Sequence, residues 1–173
     1  NYLSNYNYET LLIENYDTKQ KEFEKLFNDL SFRTYHRQDV GPISMHYSIY
    51  KANELKKDYE RKNNMKFDKV IRMRYDSDFE GKILDLNYLT SDINIPTGED
   101  WNGGINDQFA VGTSESMDIY SNLYNEFRNF QHIDYHPEII FREYLQSKFV
   151  DINRFEFFIS LNNKIDFRRI LFG

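Results

Sequence analysis

Apolar positions along the chain fall into short continuous runs and helical stripes. Leu11-Leu12-Ile13 is a three-residue apolar run suited to a buried strand, and Lys19 to Leu30 follows with Phe23, Leu26, Phe27 and Leu30 at helical spacing. After Gly41-Pro42, Ser44 is placed to cap a second helix, in which Met45, Ile49, Ala52, Leu55 and Tyr59 form one stripe. Lys51, Glu54, Lys56, Lys57 and Asp58 occupy the solvated side, and the helix runs out in the polar residues Arg61 to Asn64. Phe67 to Met73 reads as a strand; Val70, Ile71 and Met73 are too apolar for a one-sided edge and predict an interior position.

Gly81 to Leu89 suggests a short strand. Ser91 to Gly104 reads as a polar loop carrying Gly98, Trp101, Gly103 and Gly104, long enough to cover a site. Ile105 to Val111 is a further strand candidate. Thr113 or Ser114 then caps a helix with the stripe Met117, Tyr120, Leu123 or Tyr124, and Phe127, and with Glu115 and Asp118 near its positive end. Pro137 suits the first turn of another helix, Glu138 to Lys148, and Val150 to Ile159 alternates Phe155, Phe157 and Ile159 with polar neighbours. The order strand-helix-helix-strand-strand-helix-helix-strand predicts an α/β fold with a mixed, mostly parallel sheet and helices on both faces. The three prolines, Pro42, Pro96 and Pro137, fall at element boundaries and no repeat is present, so residues 1–173 are expected to form one domain.

Composition narrows the function classes. Hydrophobic residues make up 40% of the chain, with 14 Tyr and 15 Phe, which is ample for a core. The formal net charge of -6 argues against broad nucleic-acid binding, so an anionic ligand has to be held locally by a few Arg or Lys or by a metal. There is no cysteine, which removes disulfides and thiolate zinc sites and favours a reducing compartment. No apolar run is long enough to span a membrane and no signal-peptide pattern opens the chain, so a soluble, cytoplasmic protein is expected.

The clearest chemical feature is Asp76-Ser77-Asp78, directly after the strand that ends at Met73. Two carboxylates at this spacing converge on one hard cation when they sit at the turn after a strand, and Mg²⁺ or Mn²⁺ accepts such oxygen ligands together with water and phosphate. The same tripeptide is also an ordinary turn sequence. In open α/β sheets the carboxyl edge of the strands is where ligands bind. Arg72 and Arg74 alternate with apolar residues and suit either phosphate or the acidic triplet. Neither a Gly-x-x-x-x-Gly-Lys loop, nor a His-Glu-x-x-His pair, nor a motif-supported Ser/His/Asp set occurs.

The stretch Phe67-Asp68-Lys69-Val70-Ile71-Arg72-Met73-Arg74-Tyr75-Asp76-Ser77-Asp78 resembles a segment of GT-A-fold glycosyltransferases of large DNA viruses and of bacterial capsule and lipopolysaccharide gene clusters. Ser44 to Ala52 is similar to the helix preceding it in those proteins. Ile105-Asn106-Asp107-Gln108-Phe109-Ala110-Val111-Gly112 with Met117-Asp118-Ile119-Tyr120 resembles their second block, and Pro137-Glu138 their third. The resemblance covers roughly residues 11 to 150, and its middle blocks are the distinctive ones. The glycine-containing strand and turn that open such enzymes have no counterpart here, so the N-terminal nucleotide-binding part is expected to be lacking.

The resemblance implies a transferase that moves a sugar from a nucleoside diphosphate sugar to a glycan acceptor, in the host cytoplasm if the source is viral. Asp76 and Asp78 would hold Mn²⁺ or Mg²⁺ against the diphosphate, with His136 as a third ligand or merely the residue before Pro137. Glu138 or Asp107 would be the base, and Asp107 is equally placed to hydrogen-bond the donor sugar. Arg72, Arg74 and Gln108 are donor-binding candidates. Trp101 either stacks on a sugar or base, or anchors its loop. Two further readings are a non-catalytic or truncated transferase-like module of a larger protein and, with less support, a metal-dependent phosphoesterase.

Overall fold

The computed structural model describes residues 12, 14–35, 39–74, 77–78, 85–157 and 160–161. In chain order the first elements are α1 (Tyr16–Asp29), β1 (Thr34–Tyr35), α2 (Gly41–Asn63), β2 (Val70–Met73), β3 (Ser77–Asp78) and β4 (Ile93–Pro96). β5 (Phe109–Gly112), α3 (Ser114–Tyr120), α4 (Leu123–Glu126), β6 (Asp134–Tyr135), α5 (Pro137–Ser147), β7 (Ile152–Phe155) and β8 (Ser160–Leu161) complete it.

Side-chain caps set the starts of two helices, and proline in the first turn marks two more. The Asn15 side chain accepts from the Asp17 and Thr18 amides and starts α1, and Thr113 accepts from the Ser116 amide and starts α3. Met117, Tyr120, Leu123 and Phe127 are all buried, although the single helix expected there is divided into α3, α4 and a 3-10 turn, Phe127–Phe130. Pro137 opens α5 as expected. α2 begins three residues before Ser44: Asp39 Oδ1 accepts the Gly41 amide at 2.8 Å, Pro42 occupies the first turn, and the Ser44 hydroxyl bonds back to the Gly41 carbonyl. Ser44 is therefore a residue within the helix and not its cap.

The face that α2 buries also differs from the expected stripe. Ile43, His46, Ile49, Asn53 and Glu60 are buried, whereas Ala52 is exposed. The face is turned because three polar side chains on it, those of Asn53, Lys56 and Glu60, find partners on α3.

Four strands form the main sheet in the order β2-β5-β4-β7. β2–β5 and β5–β4 are antiparallel and β4–β7 is parallel, so the sheet is mixed and not mostly parallel. β2 lies at an edge, which corrects the interior position read from its apolar residues: Ile71 and Met73 are 45% and 46% exposed. The centre belongs to β5 and β4, whose residues are all buried. β4 falls inside the segment read as a polar loop. Its Asn94 is accommodated at the centre because Nδ2 donates to the Ser91 and Val111 carbonyls and Oδ1 accepts from Asn153.

One sheet face, with Val70, Ile93, Ile95 and Ala110, joins the buried residues of the five helices in a single core. On the other face Phe109 and Val111 pack against Leu89 and Phe157, with Leu86 and Phe155 at the margin. Among the described residues the helices thus cover one face, not both. Leu86–Tyr88 is a 3-10 turn; of the strand expected over 81–89, residues 81–84 lie outside the described residues, as do residues 11 and 13 of the first expected strand. β1–β6 forms a parallel pair and β3–β8 an antiparallel one. No helix among the described residues is long and apolar enough to cross a membrane.

Candidate functional site

Because β2 and β5 run antiparallel, the carboxyl end of one and the amino end of the other share an edge, with Met73 opposite Phe109. Arg72, Arg74, Asp107 and Gln108 meet there. Arg72 lies opposite Ala110 on the helix-covered face, and its guanidinium donates to the Asp107 main-chain carbonyl. The Asp107 carboxyl is 6% exposed; burial pushes its pKa up, and the charges of Arg72 and Arg74 oppose that rise. A buried acid between desolvation and two guanidinium groups is the kind of group whose protonation changes with whatever enters beside it.

The segment carrying Asp107 is held by its own side chains. Asp100 Oδ1 accepts the Asn106 amide at 2.8 Å, Asn106 Nδ2 donates to the Gly98 carbonyl at 3.0 Å, and Asn106 Oδ1 accepts the Gln108 amide at 2.8 Å. Arg154 of β7 clamps Asp100 through both carboxylate oxygens, at 2.8 and 2.9 Å, and also bonds the Ile95 and Pro96 carbonyls. The loop is thus fastened to the sheet. Trp101 sits on its surface, 60% exposed, with Nε1 donating to Glu99 at 2.9 Å.

The same loop touches the start of α5. The Ile105 amide donates to the Glu138 carbonyl at 3.1 Å, and a Cβ on Gly104 would stand 2.4 Å from the Glu138 main chain, so only glycine permits the approach. His136 Nδ1 lies 2.8 Å from Glu138 Oε2 and both side chains are largely buried. The two base candidates, Asp107 and Glu138, therefore stand on adjoining segments, and His136 is paired with Glu138. No group of three or more His, Asp or Glu side chains suited to a metal occurs among the described residues.

Shortly after β2 the Ser77 amide donates to the Arg74 carbonyl at 3.1 Å, and Ser77-Asp78 forms β3. Asp76 and the Asp78 side chain lie outside the described residues.

Behind Arg72 are two residues that spacing did not single out as functional. His46 of α2, 1% exposed, packs its ring against Phe127 and Phe141, and its pKa is lowered to about 3, by burial first and by the Arg72 charge second. The Tyr120 hydroxyl is pushed up to about 12 by burial. Neither His46 Nε2 nor the Tyr120 hydroxyl has a hydrogen-bond partner among the described residues. These residues come from separate elements, so no local sequence signal connects them.

A second buried polar group joins α2 to α3. Lys56 Nζ lies 2.8 Å from Asp118, 2.5 Å from the Ser114 hydroxyl and 3.5 Å from Glu60. Burial opposes ionisation of Glu60, but bonds from Ser114, the Phe67 amide and Lys66 hold its pKa down to about 2. Asn53 donates to Asp118 at 2.8 Å. Between α2 and the open edge of β2 runs a groove of about 630 Å³, bordered by Met45, Ile49, Lys56, Ile71, Arg72 and Arg74.

No curated protein and no solved structure matches this chain. A family described as a domain of unknown function (DUF7796) matches residues 49–169, from the middle of α2 past β8 and through the whole main sheet, and the chain belongs to that family.

Proposed function

We propose that this chain is a cytoplasmic, metal-dependent glycosyltransferase domain of GT-A-like fold, moving a sugar from a nucleoside diphosphate sugar to a glycan hydroxyl. The observation that carries the reading is the meeting of Arg72, Arg74 and Asp107 at the carboxyl end of β2, where Asp76-Ser77-Asp78 follows. Guanidinium groups suit the negative charge of a diphosphate, and a buried carboxyl with a raised pKa suits removal of a proton from an acceptor hydroxyl. Gln108 adjoins Asp107 and is placed to hydrogen-bond the sugar. Glu138, whose Oε2 lies 2.8 Å from His136 Nδ1, is the second candidate for the base.

Asp76 and Asp78 would hold the Mn²⁺ or Mg²⁺. Their fit rests on donor chemistry: two hard oxygen ligands flank one residue where the sequence leaves β2. A bound divalent ion supplies charge that stabilises the departing diphosphate. The internal bond from Arg72 to the Asp107 carbonyl favours one competing reading, a non-catalytic binding or assembly module. Donor hydrolysis and transfer with Mn²⁺ separate the two: Asp107→Asn is expected to lower turnover by about 10²-fold or more, and Asp78→Ala to abolish it. Full activity in both variants removes the mechanism, and no turnover by the parent chain with any donor supports the module.

A further inference from the structure

The hydroxyl of Tyr120 and Nε2 of His46 are enclosed by the protein and meet no hydrogen-bonding group among the described residues. Tyr120 differs in this from its neighbours. Tyr135 and Tyr144 are as completely buried and lie in the same core, yet the Tyr135 hydroxyl donates to the Asp39 carbonyl at 3.1 Å and that of Tyr144 to the Ile119 carbonyl. A buried hydroxyl or ring nitrogen without a partner gives up its hydration for nothing, so folded chains rarely leave one.

The two groups belong to one place. His46 comes from α2 and Tyr120 from α3, and both rings pack on the Phe141 ring of α5, with centroids 5.4 and 4.7 Å from it. Both also feel the positive charge of Arg72 on β2. They therefore flank a common space bounded by three helices and the sheet. Ile49, Met117 and Ser121, each within one helical turn of His46 or Tyr120, border the groove beside β2, which brings solvent close to that space.

We propose that His46 Nε2 and the Tyr120 hydroxyl together hold one internal water molecule behind Arg72. Water is the ligand that complements both groups. A neutral imidazole nitrogen is either a donor or an acceptor, a phenol hydroxyl is both, and a water satisfies them in any combination. A lone pair left over faces the charge of Arg72, which brings the partners to the three or so that internal waters typically have. An anion would be drawn to Arg72 as well, but it would have to shed its hydration beside the rings of Phe127 and Phe141. The water ties α2 and α3 to Arg72, whose guanidinium reaches the Asp107 carbonyl. The inference does not depend on the glycosyltransferase reading.

Two measurements on the full chain test it. Tyr120→Phe removes one oxygen and keeps the ring. With a water bonded to that oxygen, the substitution is expected to raise the unfolding equilibrium constant about five-fold, read by urea unfolding at neutral pH. A constant that is unchanged or lower overturns the proposal, because a hydroxyl without a partner is lost at no cost. Magnetic relaxation dispersion of the water oxygen, which counts long-lived internal waters, is expected to find one fewer in the double variant His46→Leu, Tyr120→Phe than in the parent. An equal count overturns the proposal even where Tyr120→Phe alone is destabilised, since that pair of results assigns a direct bond between the two side chains.

Discussion

Replacing His46 by leucine is expected to flatten the acid limb of the stability curve. His46 is almost completely buried, and it faces the rings of Phe127 and Phe141 and the positive charge of Arg72, none of which accepts a proton from it. Its pKa of about 3 in the fold lies below the ordinary value of 6.5, so the folded state holds it neutral while the unfolded chain protonates it. The stability tied to His46 is therefore complete above pH 6.5 and falls as pH drops toward 3. Each unit below 6.5 lowers it by about 1.4 kcal/mol, or about 2 kcal/mol by pH 5.0. Glu60, held at about 2 against an ordinary 4.5, loses its contribution only below 4.5, so a window from pH 7.5 to 5.0 leaves it out. Urea unfolding at both pH values measures the difference. The parent protein should lose about 2 kcal/mol more than His46→Leu across the window; parallel losses refute the neutral, buried histidine.

Gly104→Ala is expected to cost about 1 to 3 kcal/mol, read from chemical denaturation, because the new methyl meets the Glu138 main chain, and a neutral result places the loop and α5 farther apart than described. Lys56→Met leaves Glu60 and Asp118 without their shared cation and should cost about 3 kcal/mol, whereas Lys66→Met, at a side chain 54% exposed, should cost under about 1 kcal/mol. Equal losses in the two lysine variants refute the burial of the α2–α3 polar group.

How much of this was legible depends on where the fold is held by apolar spacing. α1, α3 and α5 were readable because Phe23 and Leu26, then Met117 and Tyr120, then Pro137 carry the standard signals of stripe and helix start. The buried face of α2 was not, because Asn53, Lys56 and Glu60 look like solvated positions until Ser114 and Asp118 arrive from another element. β4 was hidden by its brevity and by a central asparagine, and β2 was misplaced because Ile71 and Met73 are apolar yet exposed at an edge. At the candidate site, Arg72, Arg74 and Asp107 were legible as residue types next to a strand. His46 and Tyr120 were not, since only the packing of α2 and α3 over β2 brings them behind Arg72.

Calorimetric titration of the chain with UDP and with GDP, in Mn²⁺ and again in EDTA, bears most directly on the proposed function. The account expects one of the nucleotides to bind in Mn²⁺ and not in EDTA, and Asp78→Ala to weaken that binding at least about ten-fold, or 1.4 kcal/mol, with the unfolding midpoint unchanged. Binding that is the same in EDTA and in Asp78→Ala, or no heat with either nucleotide, contradicts it.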